Sequence, residues 1–376
     1  MDRNSLRIKA LVVCAALLPT TAVLGTECSD PLDIGRGEVA FHVPSSYHPR
    51  LPTPLVIMLH PLPYADTLGE SYLRLTPLSD LHGFLYAIPE GTRDDNDDPF
   101  WNATDACCDF DGVDPDDSRY LKRLIATIKR RCNVDPRRIY LFGYSNGGFM
   151  AYRMACDHAR SISAIASLGG GTFYRKEDCK PQAPVHVLQI HGTFDDVVSY
   201  GGGSRMGARY PGAVQTVETW ASYNQCSMLP REVPGALNLD RSLAGKETSI
   251  TRYSEGCRPG SSVELWTIEG ASHVPRLSDQ FSELVVEHLL SRLGCSGKER
   301  LMKSKCQDNG RLLVKLWKGL GGDSYRLELL DGTVVKGRLN RRGEAKVKIM
   351  NMPSGEGTVA LSWGCGAKAK RSYTCP

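Results

Sequence analysis

Short uninterrupted apolar runs recur along the first three quarters of the chain, separated by loops and by stretches of helical periodicity. Residues 55–59 (Leu-Val-Ile-Met-Leu), 84–88, 139–142, 162–168, 185–190 and 263–268 have the length and composition of buried strands. Between them, residues 120–132 place Tyr120, Leu121, Leu124, Ile125 and Ile128 on one side of a helix and Lys122, Arg123, Lys129 and Arg130 on the other. A short helical stretch ends near Leu81, and residues from Phe149 onward, 214–223 and 278–293 also read as helices, with Val214, Val217 and Trp220 as core positions. Val134-Asp135-Pro136 reads as the turn into the 139–142 strand. Strand and helix alternate, which predicts an α/β protein with a doubly wound, mainly parallel sheet covered on both faces.

The pattern changes after residue 294. Residues 312–317, 325–329, 333–339, 345–349 and 359–363 are short strand-like runs, and Asp331-Gly332 is a hairpin turn signal. A small antiparallel β-sandwich is expected there. At the other end, Arg3, Arg7 and Lys9 precede an apolar run over 10–18, with small residues near Ala22 and Gly25. That run is too short for an ordinary membrane span and fits an export signal. Glu27 before Cys28 does not suit a lipoprotein attachment site. The expected organisation is a signal peptide over 1–25, a main domain over 26–295, a linker over 296–305 and an all-β accessory domain over 306–376, in a protein secreted to an extracellular or periplasmic space.

Charge and cysteine content sharpen this division. Residues 298–376 hold 17 of the 46 Lys plus Arg but 7 of the 42 Asp plus Glu, a balance of +10, so the preceding residues, at 29 against 35, are mildly acidic. Nucleic acid is a poor partner, because neither a recognition helix nor an RNA-binding signature accompanies the basic residues. An acidic polysaccharide, a cell surface or a polymer particle would suit the basic face, as would an ordinary soluble sheet face. Of 13 cysteines, removal of Cys14 with the signal leaves an even number for disulfides. Cys226 with Cys257 is a plausible local pair, as is one among Cys306, Cys365 and Cys375, whereas the adjacent Cys107 and Cys108 are expected to take separate partners. No zinc or iron–sulfur spacing is present in the sequence.

The loop over 90–117 is long and acidic and sits where a parallel sheet places functional loops. Asp109, Asp111, Asp114, Asp116 and Asp117 crowd around Gly112, but the terminal glutamate of a calcium loop is missing, so a solvated acidic loop is the expectation and calcium the alternative. Asn102-Ala103-Thr104 is formally a glycosylation sequon. Phe100, Trp101 and Tyr200 read as an aromatic substrate surface, or equally with Trp101 as core under the loop and Tyr200 closing a turn.

The chemistry centres on Gly143-Tyr144-Ser145-Asn146-Gly147, a G-x-S-x-G sequence between an apolar strand and a helix. Such an elbow lifts a serine hydroxyl above the sheet edge and aims the next backbone N–H at the same space. Asp195 follows the 185–190 strand and His273 the 263–268 strand, so Ser145, Asp195 and His273 occur in the chain order of an α/β-hydrolase triad. Asp196 is the rival acid; His191 and His60, also after strands, read as supporting or core residues. The oxyanion donors expected are the backbone N–H groups of Asn146 and Leu62, the latter because Pro61 and Pro63 in His60-Pro61-Leu62-Pro63-Tyr64 have none.

From Pro54 to Leu293 the chain resembles the secreted esterase family of polyhydroxybutyrate depolymerases and feruloyl esterases, with related acetylxylan esterases. The resembling pieces are PEGTRDDNDDPFWNATDACC, VDPRRIYLFGYSNGGFMAYRMAC, HGTFDDVVSY, GAVQTVETWASYNQC and VELWTIEGASHVP, together with the strand ending in His60. The resemblance implies an α/β-hydrolase domain with Ser145 as nucleophile, Asp195 as acid, His273 as base and Leu62 and Asn146 as oxyanion donors. It implies hydrolysis of esters, polymeric or derived from plant cell walls, through an acyl-enzyme and with no cofactor or metal. Pro61 stands where the family commonly has glycine, and Val274-Pro275 where it often has tryptophan. Alternatives are a catalytically idle hydrolase-like protein that binds a surface through its basic end, or a peptidase or acyltransferase using the same triad. The sequence leaves the oligomeric state open.

Overall fold

The computed structural model describes residues 27–63, 66–205, 207–296 and 298–376. The expected signal peptide and Tyr64 lie outside the described residues. One sheet contains ten strands: β1 (Leu32–Asp33), β2 (Glu38–His42), β3 (Thr53–Leu59), β4 (Leu85–Ile88), β5 (Val134–Tyr144), β6 (Ala164–Leu168), β7 (His186–Gly192), β8 (Arg231–Leu237), β9 (Thr248–Tyr253) and β10 (Val263–Ile268). Their spatial order is β1-β2-β4-β3-β5-β6-β7-β10-β9-β8. The central neighbours from β4 to β10 are parallel, and the outer pairs at both edges are antiparallel.

Helices α1 (Asp66–Leu73), α2 (Leu75–His82), α3 (Asp117–Arg131), α4 (Asn146–Asp157), α5 (Ala213–Tyr223) and α6 (Phe281–Leu290) cover the sheet. The two-residue period of a strand sorts them into layers. Leu55, Ile57 and Leu59 of β3 join a core with Leu124 of α3, Met150 of α4 and Trp220 of α5. Val56 and Met58 face the opposite core, with Leu75 of α2 and Phe281 and Leu289 of α6. Strand β5, which leads into the Ser145 turn, lies in the middle of this doubly wound sheet, which is the α/β-hydrolase fold.

Several expectations are corrected. Val134 pairs with Thr53 and already belongs to β5, so the chain enters the strand before Pro136 and not after it. Val214 is 44 % exposed, on the outer side of α5, while Val217 and Trp220 are fully buried. Strands β8, at the sheet edge, and β9 beside it were not predicted, because antiparallel strands with one wetter face carry a weak apolar signal. Phe100 and Trp101 are core, the latter with rings of His60 and Tyr120 beside it. In the acidic loop Asp117 is buried, bonded to Arg36, Thr92 and the Asn102 N–H. Asp109 accepts the N–H groups of Val113 and Asp114, and Asp116 caps α3. Asp109, Asp116 and Asp117 are thus each engaged by protein donors, backbone and side chain.

Six disulfides connect the described residues: Cys28–Cys132, Cys107–Cys108, Cys156–Cys179, Cys226–Cys257, Cys295–Cys365 and Cys306–Cys375. The pairing of Cys107 with Cys108 reverses the expectation of separate partners. The other ten described cysteines pair among themselves, which leaves these neighbours to each other among the described residues.

Beyond residue 296, strands β11 (Arg300–Gln307), β12 (Arg311–Trp317), β13 (Ser324–Leu329), β14 (Val334–Arg338), β15 (Ala345–Ile349), β16 (Gly355–Trp363) and β17 (Lys368–Cys375) form two antiparallel sheets, β11-β12-β15 and β14-β13-β16-β17. Leu312, Val314, Leu316 and Val347 of one pack against Leu327, Val359, Leu361 and Trp363 of the other. Strand β11 occupies the second half of the stretch expected to be a linker, and β17 was not predicted. Both are rich in lysine and arginine, which masks a strand whose inner positions are few. Cys295–Cys365 ties the sandwich to the segment after α6, and buried Arg137 of β5 bonds Asp135 at 2.7 Å and Asp323 of the sandwich at 3.2 Å.

Candidate active site

The elbow after β5 is built by close backbone contact. A Cβ on Gly143 would lie 2.0 Å from the Gly147 carbonyl oxygen, and one on Gly147 would lie 2.0 Å from that of Leu59. Only glycine fits at either place. Ser145 itself has φ +52°, a left-handed conformation that a non-glycine residue adopts at a cost in strain. The Ser145 N–H donates to the Leu168 carbonyl at 2.7 Å and the Ser145 carbonyl accepts from Phe149 at 3.1 Å, so the turn is fixed from both sides.

The structure brings Ser145, His273 and Asp195 into one hydrogen-bonded row. The Ser145 hydroxyl donates to His273 Nε2 at 2.9 Å, and His273 Nδ1–H donates to Asp195 Oδ2 at 2.7 Å. Each is 7–8 % exposed, covered yet reachable from one side. Asp195 Oδ1 accepts the N–H groups of Val197 at 3.0 Å and Val198 at 2.7 Å. Burial works to raise the Asp195 pKa, but hydrogen bonds from His191 and His273 outweigh it and hold the carboxyl well below the usual range. The charged carboxylate therefore fixes the histidine tautomer that leaves Nε2 free to take the serine proton. Asp196 is exposed and stands outside the row.

His191 is a supporting residue. Its Nε2–H donates to the Val198 carbonyl at 2.7 Å and lies 3.2 Å from Asp195 Oδ2, while its Nδ1 accepts from Gln189 Nε2 at 3.1 Å. Gln189 in turn accepts from the Tyr152 hydroxyl and donates to the Gly170 carbonyl. His60 lies under the neighbouring loop: its Nδ1–H donates to the Pro61 carbonyl at 3.0 Å and its Nε2 accepts the Gly91 N–H at 2.9 Å. Burial pushes the His60 pKa down to about 4.

Asn146, the first residue of α4, is held by its side chain. Its Oδ1 accepts the Trp101 N–H and its Nδ2 donates to the Trp101 carbonyl, both at 2.8 Å. Leu62 sits half-buried in the loop after β3, packed on the core, just beyond the Leu59 and His60 carbonyls against which Gly147 closes. Tyr200 turns its hydroxyl to Thr267 at 2.9 Å, with its ring edge-on to His191.

Three contributors escaped the sequence reading. The Tyr144 hydroxyl donates to the His273 carbonyl at 3.0 Å, and that of Tyr72 donates to the Pro275 carbonyl at 2.6 Å. Together they clamp the loop that carries the histidine. Gly169, at φ +61°, leaves room for the acid–base pair: a Cβ there would stand 3.3 Å from His273 Nδ1 and 3.4 Å from Asp195 Oδ2. The run Gly169-Gly170-Gly171 directly after a buried strand was the available signal.

Phe194 and Val197, close to Asp195 in sequence, and Val274, next to His273, are exposed, as are the polar Asp196 and Ser272.

Fold and site together define an α/β-hydrolase with a Ser–His–Asp constellation. Known proteins similar to the chain carry esterase names. Feruloyl esterase B of Piromyces equi is 29 % identical over 245 residues, covering 63 % of this chain and 42 % of that protein. A bifunctional acetylxylan esterase/xylanase of Neocallimastix patriciarum is 28 % identical over 244 residues, 64 % of this chain and 31 % of the relative. Feruloyl esterase D of Neurospora crassa is 23 % identical over 250 residues, 63 % of this chain and 73 % of that protein. The chain thus spans less than half the length of the first two. An acetyl xylan esterase structure from Aspergillus awamori aligns with a TM-score of 0.49 at 12 % identity, over 67 % of this chain and 93 % of that one. No protein-family model matches the chain.

Proposed function

We propose that the protein is a secreted serine carboxylic-ester hydrolase that works through an acyl-enzyme. The observation that carries this reading is the unbroken row from the Ser145 hydroxyl through His273 to Asp195. Ser145 Oγ attacks the ester carbonyl carbon while His273 takes its proton; the bond to the alcohol oxygen breaks and His273 returns the proton to the leaving alcohol. Water then attacks the acyl-Ser145 carbonyl with His273 as base, releasing the acid and free serine. The backbone N–H groups of Asn146 and Leu62 hold the oxyanion in both halves.

The names of the relatives favour feruloyl or acetyl esters of a plant polysaccharide, with polyhydroxybutyrate oligomers as the second substrate class. Exposed apolar side chains next to the acid and the base in sequence, Phe194, Val197 and Val274, suit either an aromatic acyl group or a polyester surface. Residues 26–295 form the catalytic domain in this reading and the C-terminal sandwich an accessory domain. Six disulfides support an oxidising, extracytoplasmic location. No helix among the described residues is long and apolar enough to cross a membrane.

The test is hydrolysis of methyl ferulate, acetylated xylan, hydroxybutyrate oligomers and nitrophenyl esters by the wild type and S145A. Turnover of one class that disappears in S145A supports the proposal and selects the substrate. Equal turnover by both proteins, or none by either, refutes it and leaves the idle surface-binding, peptidase or acyltransferase readings.

A further inference from the structure

The outer face of the β11-β12-β15 sheet is a cationic platform. Strand register sets Lys303, Lys315 and Lys346 side by side across all three strands, and Lys305 and Lys348 on either side of Leu313 in the adjacent row. Arg300, opposite Trp317, and Arg311, opposite Gln307, complete the face. The five lysines and Arg300 are exposed. Among the described residues, none of these seven cations is in a salt bridge with a carboxylate.

Like charges directly opposed on neighbouring strands destabilise a sheet, so three in a row are tolerated at a cost that a bound anion would relieve. The opposite sheet differs: there Glu328 pairs with Arg326 at 3.2 Å between its basic residues. Beside the lysine row, Trp317 is 43 % exposed, with the Lys318 ammonium 5.4 Å from its ring centre. Lys303, Lys315, Trp317, Asn340, Glu344 and Lys346 line a groove of about 540 Å³, in which Glu344 is the one acidic lining residue.

We propose that this groove and the lysine rows bind an extended anionic polysaccharide whose sugars carry carboxylates. Lysines on adjacent strands stand about 4.8 Å apart, a spacing on the scale of successive sugars in an extended chain. Each ammonium is a compact point charge suited to one isolated carboxylate, whereas phosphate-rich polymers are met bidentately by arginine forks. The exposed indole offers a flat face on which an uncharged sugar ring can lie. The proposal is independent of the ester chemistry, and its test uses no turnover.

The experiment is binding of the full-length protein to polygalacturonate and to its methyl-esterified form, by calorimetry at 50 and 300 mM NaCl. The variants are K303E/K315E/K346E, W317A and the charge-matched K336E/K368E/K370E on the other sheet, each checked for unchanged thermal unfolding. Binding to polygalacturonate at least tenfold tighter than to the methyl ester, weakened by salt, is expected. K303E/K315E/K346E and W317A should lose at least tenfold and threefold, and K336E/K368E/K370E less than threefold. Equal losses in the two triple variants would reduce the effect to net charge and overturn the proposal. So would binding to phosphatidylserine vesicles or duplex DNA as tight as to polygalacturonate. If the first triple variant unfolds early, K315Q and K346Q singly replace it, with at least a twofold loss each expected and no loss overturning the assignment.

Discussion

Asn146 grips the backbone of Trp101 with both ends of its carboxamide, accepting the N–H and donating to the carbonyl at 2.8 Å each. The residue whose own N–H is proposed to hold the oxyanion is therefore fixed by a loop 45 positions away. Asn146→Ala removes both bonds and frees the first turn of α4 to shift. Activity on a nitrophenyl ester is expected to fall about 10- to 100-fold in kcat with a small change in KM, less than for outright loss of an oxyanion donor. A kcat within twofold of wild type would mean that the grip is irrelevant to the chemistry.

Gly169 faces the acid–base pair at a backbone angle that disfavours side chains, with His273 and Asp195 at the edge of contact. Gly169→Ala should destabilise the fold by about 1–2 kcal/mol through its positive φ and push the His273 ring off Asp195. Steady-state kinetics should show at least a tenfold lower kcat at unchanged KM. Thermal unfolding supplies the separate stability readout.

The Tyr72 and Tyr144 hydroxyls each hold a carbonyl of the base loop. Tyr72→Phe and Tyr144→Phe keep the rings and remove only those bonds, each worth about 1 kcal/mol. Each variant is expected to lose about 3- to 10-fold in kcat/KM, and the double variant less than the product, because both act on one loop. Strict multiplicativity would show that the two clamps work independently.

His60 is neutral in the fold, since Gly91 donates to its Nε2, and protonation there would break that bond. Burial lowers its pKa from 6.5 to about 4. Between those values the unfolded chain binds a proton that the folded chain refuses, so stability is fully present above pH 6.5 and declines as pH falls to about 4. The slope for one such group approaches ~1.4 kcal/mol per pH unit. In urea titrations at pH 7 and 4.5, His60→Gln should be less stable than wild type at the higher pH and show a shallower loss toward the lower one. Parallel losses in the two proteins would contradict the assignment.

Arg137 joins the main sheet to the C-terminal sandwich through Asp323, both side chains being almost fully buried. Burial drives the Asp323 pKa upward against the opposing pull of Arg137. Asp323→Ala leaves Arg137 its two bonds to Asp135, so the expected loss is about 1–3 kcal/mol, below that for a fully orphaned buried charge. A calorimetric scan should show the sandwich unfolding at lower temperature, with kinetics on small esters unchanged.

Much of the fold was legible in the sequence because buried parallel strands must be continuous apolar runs, as residues 55–59 and 139–142 are, and because a serine elbow needs glycine on both sides. The chain order of Ser145, Asp195 and His273 likewise followed from which strands each one terminates. Edge strands such as β8, and the lysine-rich β11 and β17, were hidden because one face meets water and the inner positions are sparse. The partner of Cys107 was decided by where the other ten described cysteines come together in space, which adjacency in sequence does not reveal. Tyr72, Gly169 and the double grip of Asn146 on Trp101 have no local signature either. Their roles arise from contacts between segments far apart in the chain, and only packing the sheet and its loops brings those segments within hydrogen-bond reach.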